Sequence, residues 1–393
     1  MGAPAIPYAG RTIIALAHEQ FIAIRRTVEI LFRVAHSAAY QQCVDADVDA
    51  FLRFAPGNFG VFMGYDFHVT PAGPRLIEVN TNAGGALLNG LHTASLCDPV
   101  RLACLCSDLL PVEAIQDRIV RTFVSEFEAV RGAGARPALV AIADDRPREQ
   151  FLYAEFELFV SLLAGAGIRA EICDTAELTR AGGGLALRGE RVDLVYWRDT
   201  DFALAAPRSR TVREAYLARE VVVTPAPREH HLLANKRRLA LFSSPEALAE
   251  LGVPAGDTAH LAAVIPETRG LVALGRERAW RERKQWVFKP SAAFGSRAVY
   301  RGDKISRAKL EEIAGDADFL AQRRVEPGLL AVETAEGRRE MKFDVRAYAY
   351  RDEILLLGAR VYQGQVTNLR SAGGGFSAIC VARAAEASQQ PRG

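Results

Sequence analysis

The spacing of hydrophobic side chains changes several times along the chain, and each change predicts a different type of element. Apolar residues recur three and four positions apart over residues 11–55, a periodicity typical of helices. Residues 59–80 switch to two apolar strands joined by a turn rich in Pro and Gly, which predicts a hairpin. A second amphipathic helix is predicted over residues 112–130, and the Gly and Pro residues of 131–137 end it.

The rest of the chain divides into two regions with different patterns. Between residues 137 and 228, short apolar strands alternate with a helix, which predicts a small parallel α/β domain. Residues 342–382 instead form successive apolar strands joined by turns, which predicts an antiparallel sheet. The predicted fold class is therefore α+β with an α/β subdomain.

Length and composition limit the function. A chain of 393 residues, 49% apolar and 24% charged, suits two or three packed units. Its formal net charge of +2 gives no strong field for nucleic acid or an anionic membrane, and no apolar run approaches the length of a membrane span. Six cysteines do not make a disulfide framework in so long a chain and are expected as buried or half-buried thiols. The start of the chain lacks a signal-peptide pattern, so the expected location is the cytoplasm.

Acidic residues interrupt both apolar strands of the predicted hairpin. Asp66 lies in the first strand, and Glu78 and Asn80 lie two positions apart in the second, so their side chains point the same way. Pairing of the strands can bring Asp66 onto that face, and two carboxylates with an amide oxygen suit Mg²⁺. The alternative is that Asp66 closes a turn and Glu78 is a solvated strand residue.

Candidate nucleotide-binding groups occur later in the chain. Lys289 ends an apolar strand beside the small-residue loop 291–297, whose backbone amides can help to bind phosphate. Lys236 begins a predicted helix, although it and the two arginines after it also suit a solvated surface. Residues 319–328 resemble an inter-lobe hinge. In such a hinge, backbone groups at Val325 can pair with a base and Glu326 can accept from a ribose hydroxyl.

The predicted antiparallel sheet carries a further polar set. Asp344 and Arg346 share one strand face, and Arg360 lies on the next strand. Asn368 precedes the glycine loop 373–375. Arg346 is assigned either to catalysis or to a structural pairing with Asp344.

Together these motifs resemble those of the ATP-grasp superfamily, in which ATP lies between two lobes under a Gly-rich loop. In that family two lysines contact phosphates, an aspartate and an E-x-N strand bind magnesium, and a D-x-R strand precedes an arginine and an asparagine. The matching residues are Asp66, Glu78 and Asn80 for the metal, Lys236, Lys289, Ser296, Val325, Glu326 and Asp344 for the nucleotide, and Arg346, Arg360 and Asn368 for catalysis.

The order of the motifs differs from the usual one, because the metal hairpin comes first and not last. This order is similar to that of the circularly permuted eukaryotic glutathione synthetase and, more loosely, of glutathionylspermidine synthetase. Ala293 stands where glutathione synthetase places a magnesium-binding glutamate, and Asp66 is a candidate replacement for that ligand.

The resemblance implies a circularly permuted ATP-grasp fold with a small Rossmann-like substrate domain. The implied units are residues 1–110 with the metal hairpin, a helical connection over 111–136, the α/β substrate domain 137–230, an ATP-grasp lobe 231–325 with the lid loop, and a second lobe 326–393.

The resemblance also implies ATP-dependent carboxylate-amine ligation through an acyl phosphate, with ATP and two Mg²⁺ ions as cofactors. The expected substrates are small carboxylates and amines of amino-acid or peptide type, with no nucleic-acid or membrane partner and with a homodimer left open. No side chain is identified as the base for the amine, and Arg198, Asp199 and Asp201 either face the substrate or form a loop ion pair. The alternatives are a small-molecule kinase and a non-catalytic nucleotide-binding protein.

Overall fold

The fold is described from a computed structural model, whose described residues are 8–46, 48–96, 112–291, 298–334, 337–364, 367, 369 and 372–382. Its strands, in chain order, are β1 (Tyr8–Leu16), β2 (Met63–Thr70), β3 (Gly73–Asn80), β4 (Leu139–Asp144), β5 (Arg169–Asp174), β6 (Leu178–Ala181), β7 (Gly184–Leu187), β8 (Glu190–Arg191), β9 (Leu194–Trp197), β10 (Val222–Thr224), β11 (Thr268–Gly270), β12 (Trp286–Pro290), β13 (Tyr300–Arg301), β14 (Phe319–Arg323), β15 (Gly328–Thr334), β16 (Gly337–Tyr350), β17 (Glu353–Tyr362) and β18 (Gly375–Val381).

Helices cover the sheets on several sides. In chain order they are α1 (His18–Ala35), α2 (Ala38–Asp45), α3 (Ala50–Arg53), α4 (Ala86–Leu96), α5 (Val112–Arg131), α6 (Tyr153–Gly165), α7 (Arg210–Leu217), α8 (Pro227–Glu229), α9 (Arg237–Phe242), α10 (Pro245–Glu250), α11 (Ala255–Val264), α12 (Leu271–Leu274), α13 (Arg276–Arg281) and α14 (Arg307–Ile313). A π-helical turn, His230–Ala234, follows α8 directly. The predicted helix over residues 112–130 is confirmed as α5.

A central sheet joins the two ends of the chain. Its strand order is β1-β18-β17-β16-β2-β3, and β15 pairs with the first half of β16. The predicted hairpin is confirmed as β2 and β3, and the predicted antiparallel run is confirmed as β16, β17 and β18. Because β2 pairs with the second half of β16, the hairpin from the first part of the chain lies beside strands from the last part.

The first strand corrects one prediction. Residues 11–16 were expected to be helical, but they lie in β1, which pairs in parallel with β18. The helical prediction is confirmed further on, where α1 begins at His18 and α2 and α3 follow it. The side chains of Ile14 and Leu16 are buried, so β1 contributes to the core through a pairing with the far end of the chain.

The predicted α/β domain is confirmed as a four-stranded parallel sheet. Its order is β10-β9-β4-β5, with α6 between β4 and β5. All six residues of β4 are buried, which explains why this strand reads as a continuous apolar run. The boundaries of all the predicted units, including this one, stay predictions.

A small antiparallel sheet, in the order β11-β14-β12-β13, lies opposite the central sheet. The side chains of Trp286 and Phe288 on β12 anchor its core against α12, α13 and α14. This sheet carries Lys289, so its position relative to the hairpin decides whether the predicted site forms.

The cysteines only partly follow the expectation. Cys173 is a buried free thiol, Cys43 is an exposed free thiol, and Cys380 is disulfide-bonded. Within the part of the chain that the structure describes, no helix combines the length and the apolar character needed to cross a membrane.

Candidate active site

A cleft lies between the central sheet and the small antiparallel sheet. It encloses about 1160 Å³, including open solvent at its mouth. Nine of the predicted site residues line it: Asp66, Glu78, Asn80, Lys236, Lys289, Val325, Glu326, Asp344 and Arg360. Seven lining side chains are cationic and four are anionic, so the cleft favours a polyanionic ligand although the whole chain is nearly neutral.

Charged residues stand in register across the central sheet. Arg346 on β16 is directly opposite Asp66 on β2, and Asp66 is opposite Glu78 on β3. Asp344, two positions before Arg346, is opposite Arg360 on β17. Directly opposite residues have Cβ atoms about 5 Å apart. Strand pairing alone therefore places acidic and basic groups side by side on the same face.

Asp66 is 2% exposed and accepts four hydrogen bonds. Arg346 donates from Nε to Oδ1 at 2.6 Å and from Nη2 to Oδ2 at 2.7 Å. Arg360 Nη2 and Asn80 Nδ2 also donate to Oδ2, at 2.8 Å and 3.1 Å. Burial by itself raises the pKa of Asp66, but the two guanidiniums more than offset it and hold that pKa below its usual value.

Of the two alternatives left for Arg346, the structural pairing with Asp344 is wrong, because Arg346 pairs with Asp66. Residues two apart on one strand are about 7 Å apart along it, whereas Asp66 lies directly across the sheet. Asp344 pairs instead with Arg360, whose Nε donates to Oδ1 at 2.7 Å. Thr367 Oγ1 donates to the other oxygen of Asp344 at 2.7 Å. Arg360 thus bridges two buried carboxylates at the wall of the cleft.

Lys289 lies on β12 at the opposite wall and is 4% exposed. Its Nζ donates to the backbone oxygen of Ile77 at 3.0 Å and to Gln322 Oε1 at 2.8 Å. The first bond ties β12 to the strand that carries Glu78. Burial, partly offset by the charge of Glu78, lowers the pKa of Lys289 to about 8. The ammonium form therefore predominates at neutral pH.

The predicted hinge lies between β14 and β15. His68 Nδ1 donates to the backbone oxygen of Val325 at 2.9 Å, which ties the hinge to β2. Burial lowers the pKa of His68, so its imidazole is neutral at pH 7. Glu326 pairs with Arg324, which also lies 3.1 Å from Asp303, and the Glu326 side chain remains 60% exposed. It is therefore accessible to a ligand in the cleft.

Three predicted residues are not among those that line the cleft. Arg346 is 8% exposed, and its side chain donates hydrogen bonds to the cleft residue Asp66. Ser296 and Asn368 lie outside the described residues, as do residues 292–297 of the predicted lid loop.

Sequence reasoning missed three residues at the site. Gln322, Thr367 and His68 each hydrogen-bond a predicted group or its backbone. Gln322 is a polar residue in the apolar strand β14, the same signal that identified Glu78. Nothing local distinguishes Thr367, because its partner is set by tertiary contact.

The three residues of the α/β region that were left between facing a substrate and forming a loop ion pair already have hydrogen-bond partners. Arg198 donates from Nη1 to Asn82 Oδ1, and Asn82 Nδ2 donates to the backbone oxygen of Arg198 at 2.5 Å. Asp199 accepts two bonds from Arg208, at 2.7 Å and 2.8 Å, which confirms the loop ion-pair alternative for this residue. Asp201 accepts from two backbone N–H groups of the following turn.

The donor set suits a magnesium ion that is shared with a nucleotide. Among the described residues, no group of three or more His, Cys, Asp or Glu side chains is placed to hold a metal. Glu78 and Asn80 are adjacent, with Asn80 Nδ2 3.3 Å from Glu78 Oε1. Mg²⁺ commonly binds through one or two carboxylates together with substrate phosphates, so these two residues fit such an ion.

Comparisons with known proteins agree on the fold. No protein-family model and no curated protein matches the chain. A glutathione synthetase-like effector, GSS30, from Globodera pallida in its apo form is 10% identical, with a TM-score of 0.60 over 93% of this chain and 88% of that one. A candidate gamma-glutamylcysteine synthetase from Methylobacillus flagellatus KT is also 10% identical, with a TM-score of 0.51 over 93% of this chain and 86% of that one.

At these identities the similarity shows the fold alone. The chain shares the fold of these two structures, so the predicted fold class is confirmed. The circular permutation stays a prediction.

Proposed function

We propose that the protein is an ATP-dependent carboxylate-amine ligase that forms an amide bond through an acyl phosphate. One observation carries this proposal: nine residues chosen from motifs in both halves of the chain line a single cleft. The ATP-grasp fold supports it further. The two similar structures, a glutathione synthetase-like effector and a gamma-glutamylcysteine synthetase candidate, are named for related chemistry.

The cleft offers a complete set of groups for MgATP. Lys236 and Lys289 donate to the phosphates, while Glu326 accepts from the ribose and the backbone at Val325 pairs with the base. Glu78 and Asn80 would hold Mg²⁺, which neutralises charge on the phosphates when bound. The excess of cations in the lining matches the charge of a triphosphate.

The proposed reaction has two steps. An oxygen of the substrate carboxylate attacks the γ-phosphorus, the bond to the β-phosphate oxygen breaks, and ADP leaves. The amine then attacks the carbonyl carbon of the acyl phosphate, loses a proton, and inorganic phosphate leaves as the amide forms. Arg360, held between Asp66 and Asp344, donates to the oxygens on which negative charge develops.

A screen of carboxylate and amine pairs tests the proposal. The protein is incubated with ATP and Mg²⁺, and ADP, inorganic phosphate and amide are measured together. We expect all three to form in equal amounts, and only when both substrates are present. Phosphate retained on an acceptor hydroxyl would identify a kinase instead, and a protein that does not bind MgATP would reject both activities.

A further inference from the structure

The surroundings of Asp66 point to a role different from that of its neighbour Glu78. We infer that Asp66 is a positioning residue that fixes Arg360, Arg346 and the amide of Asn80, and that Mg²⁺ is bound by Glu78 and Asn80 without a bond from Asp66. This inference rests on the proposed function and deepens it, because it divides the acidic residues of the site between two tasks.

Most acceptor positions of Asp66 are already used. Its Oδ2 accepts from Arg346 Nη2, Arg360 Nη2 and Asn80 Nδ2, and its Oδ1 accepts from Arg346 Nε. A carboxylate offers about four acceptor positions in all. A cation at Oδ2 could bind only by displacing a donor, and one at the remaining position of Oδ1 would lie beside the Arg346 guanidinium, whose Nε donates to that oxygen at 2.6 Å.

Displacement is unfavourable because the Arg346 guanidinium has few other partners among the described residues. Besides Asp66, the Arg346 guanidinium makes a long hydrogen bond to the backbone oxygen of Gly84, at 3.5 Å, and lies 5.9 Å from the centre of the Tyr348 ring. A buried guanidinium without its carboxylate is strongly destabilising. A divalent ion at Asp66 would in addition lie beside the charges of Arg346 and Arg360.

Glu78 has a different environment. It is half-buried, lines the cleft, and accepts a single recorded hydrogen bond, from Asn80 Nδ2 at 3.3 Å. Among the described residues, no arginine donates a hydrogen bond to Glu78. Its oxygens therefore remain available to a cation that enters with the nucleotide.

Asp66 also determines which way the Asn80 amide faces. The Asn80 NH₂ group donates to both Asp66 and Glu78, at 3.1 Å and 3.3 Å. An amide whose nitrogen faces two carboxylates turns its oxygen away from them, and that oxygen is the atom able to bind Mg²⁺. Asp66 thus supports the metal through Asn80, as an outer hydrogen-bond partner does in many metal sites.

Titrations with ADP test this division, because they need no knowledge of the acceptor substrates. We compare Asp66→Asn, Glu78→Gln and the control Asp45→Asn. The control removes a carboxylate that binds Arg228 at a place outside the cleft. The quantity is the ratio of the ADP dissociation constants without and with saturating Mg²⁺. Removing an outer partner costs roughly 10- to 100-fold in metal affinity, and Asp66→Asn keeps an acceptor for Asn80. We therefore expect it to lower this ratio by about tenfold or less.

Glu78→Gln should lower the ratio further than Asp66→Asn, and Asp45→Asn should leave it unchanged. A loss in Asp66→Asn as large as that in Glu78→Gln would overturn the inference. Wild-type protein that does not bind MgADP would reject the proposed function, and the inference with it.

A second measurement is read from the wild-type protein, and variants serve only to assign its signals. Nuclear magnetic resonance of arginine labelled with nitrogen-15 reports the Nε–H groups of Arg346 and Arg360, which we assign with Arg346→Lys and Arg360→Lys. We expect both signals to persist in the MgADP complex with no faster exchange with water. Loss of the Arg346 signal on addition of Mg²⁺ to the ADP complex would show that the metal takes Asp66, and would overturn the inference.

Discussion

Asp66 and Asp45 each hold buried arginine side chains, but only the Asp66 cluster lines the cleft. In the cleft cluster, Asp66 accepts from Arg346 and Arg360. In the second cluster, Asp45 at the end of α2 accepts from both terminal nitrogens of Arg228, at 2.7 Å and 2.8 Å. His231 Nε2 lies 3.0 Å from the same carboxylate. Both clusters join segments that are far apart in the chain.

The clusters differ in where their remaining donors point. Arg228 directs its other bonds to the backbone oxygen of Leu52 at 3.0 Å and to Gln41 Oε1 at 3.2 Å, inside the protein. Arg360 lies at the wall of a cleft that also contains Lys289. Both clusters are buried and ion-paired, so these features do not distinguish a structural cluster from a functional one. The distinguishing feature is access to the cationic cleft.

The largest expected effect is on stability, in the second cluster. Arg228→Met removes the partner of a largely buried carboxylate, and breaking such a pair costs about 3–5 kcal/mol. The remaining contact with His231 and partial exposure of Asp45 favour the lower end of that range. Denaturant unfolding measures the change. Nucleotide affinity of the folded fraction should not alter, and a variant as stable as the wild type would contradict the structural role.

The next effect is on turnover, in the cleft. Glu78→Gln keeps the shape of the side chain but removes the charge that holds the cation. Losing such electrostatic stabilisation costs about 3 kcal/mol in barrier, so turnover should fall at least about 100-fold. The assay is ADP release with a substrate pair found in the screen. Glu340→Gln on the exposed part of β16 is the matched control and should retain turnover. Near-normal turnover in a folded Glu78→Gln variant would contradict the metal-binding role and favour the alternative that Glu78 is a solvated strand residue.

The smallest effect is a pH dependence of ADP affinity, which we attribute to Lys289 in the cleft and not to the cluster around Asp45. The pKa of Lys289 is lowered from 10.5 to about 8, mainly by burial, so its ammonium form is lost as the pH rises through that value. Metal-free ADP affinity should therefore decrease from about pH 7 to about pH 9, by at most about tenfold for each pH unit. Lys289→Met should remove this dependence. Wild-type affinity that is flat over this interval would argue against a direct phosphate contact.

Much of the fold was predictable because its signals are local. The hairpin β2–β3 and the strands of the α/β domain follow from alternation and turn residues within the segments themselves. Residues 11–16 could not be assigned in this way, because four to six apolar residues suit a helix or a strand equally well. Their conformation is set by pairing with β18, more than 350 positions later.

The site was predictable to the extent that polar residues stood out in apolar strands. Asp66, Glu78 and Lys289 were found in this way and lie in one cleft. The pairing of Arg346 was not predictable, because its partner lies across the sheet on a strand about 280 positions away. Sequence spacing shows which side chains share a face, whereas register between distant strands decides which of them touch.

Calorimetric titration of ATP into the wild type, Lys289→Met and Glu78→Gln, each with and without Mg²⁺, tests the central claim most directly. We predict that Lys289→Met weakens ATP binding even without metal, because its contact with the phosphates is direct. Glu78→Gln should leave metal-free binding nearly intact, or strengthen it, and lose most of the gain that Mg²⁺ gives the wild type. If both variants bind ATP as the wild type does under both conditions, the cleft is not the MgATP site.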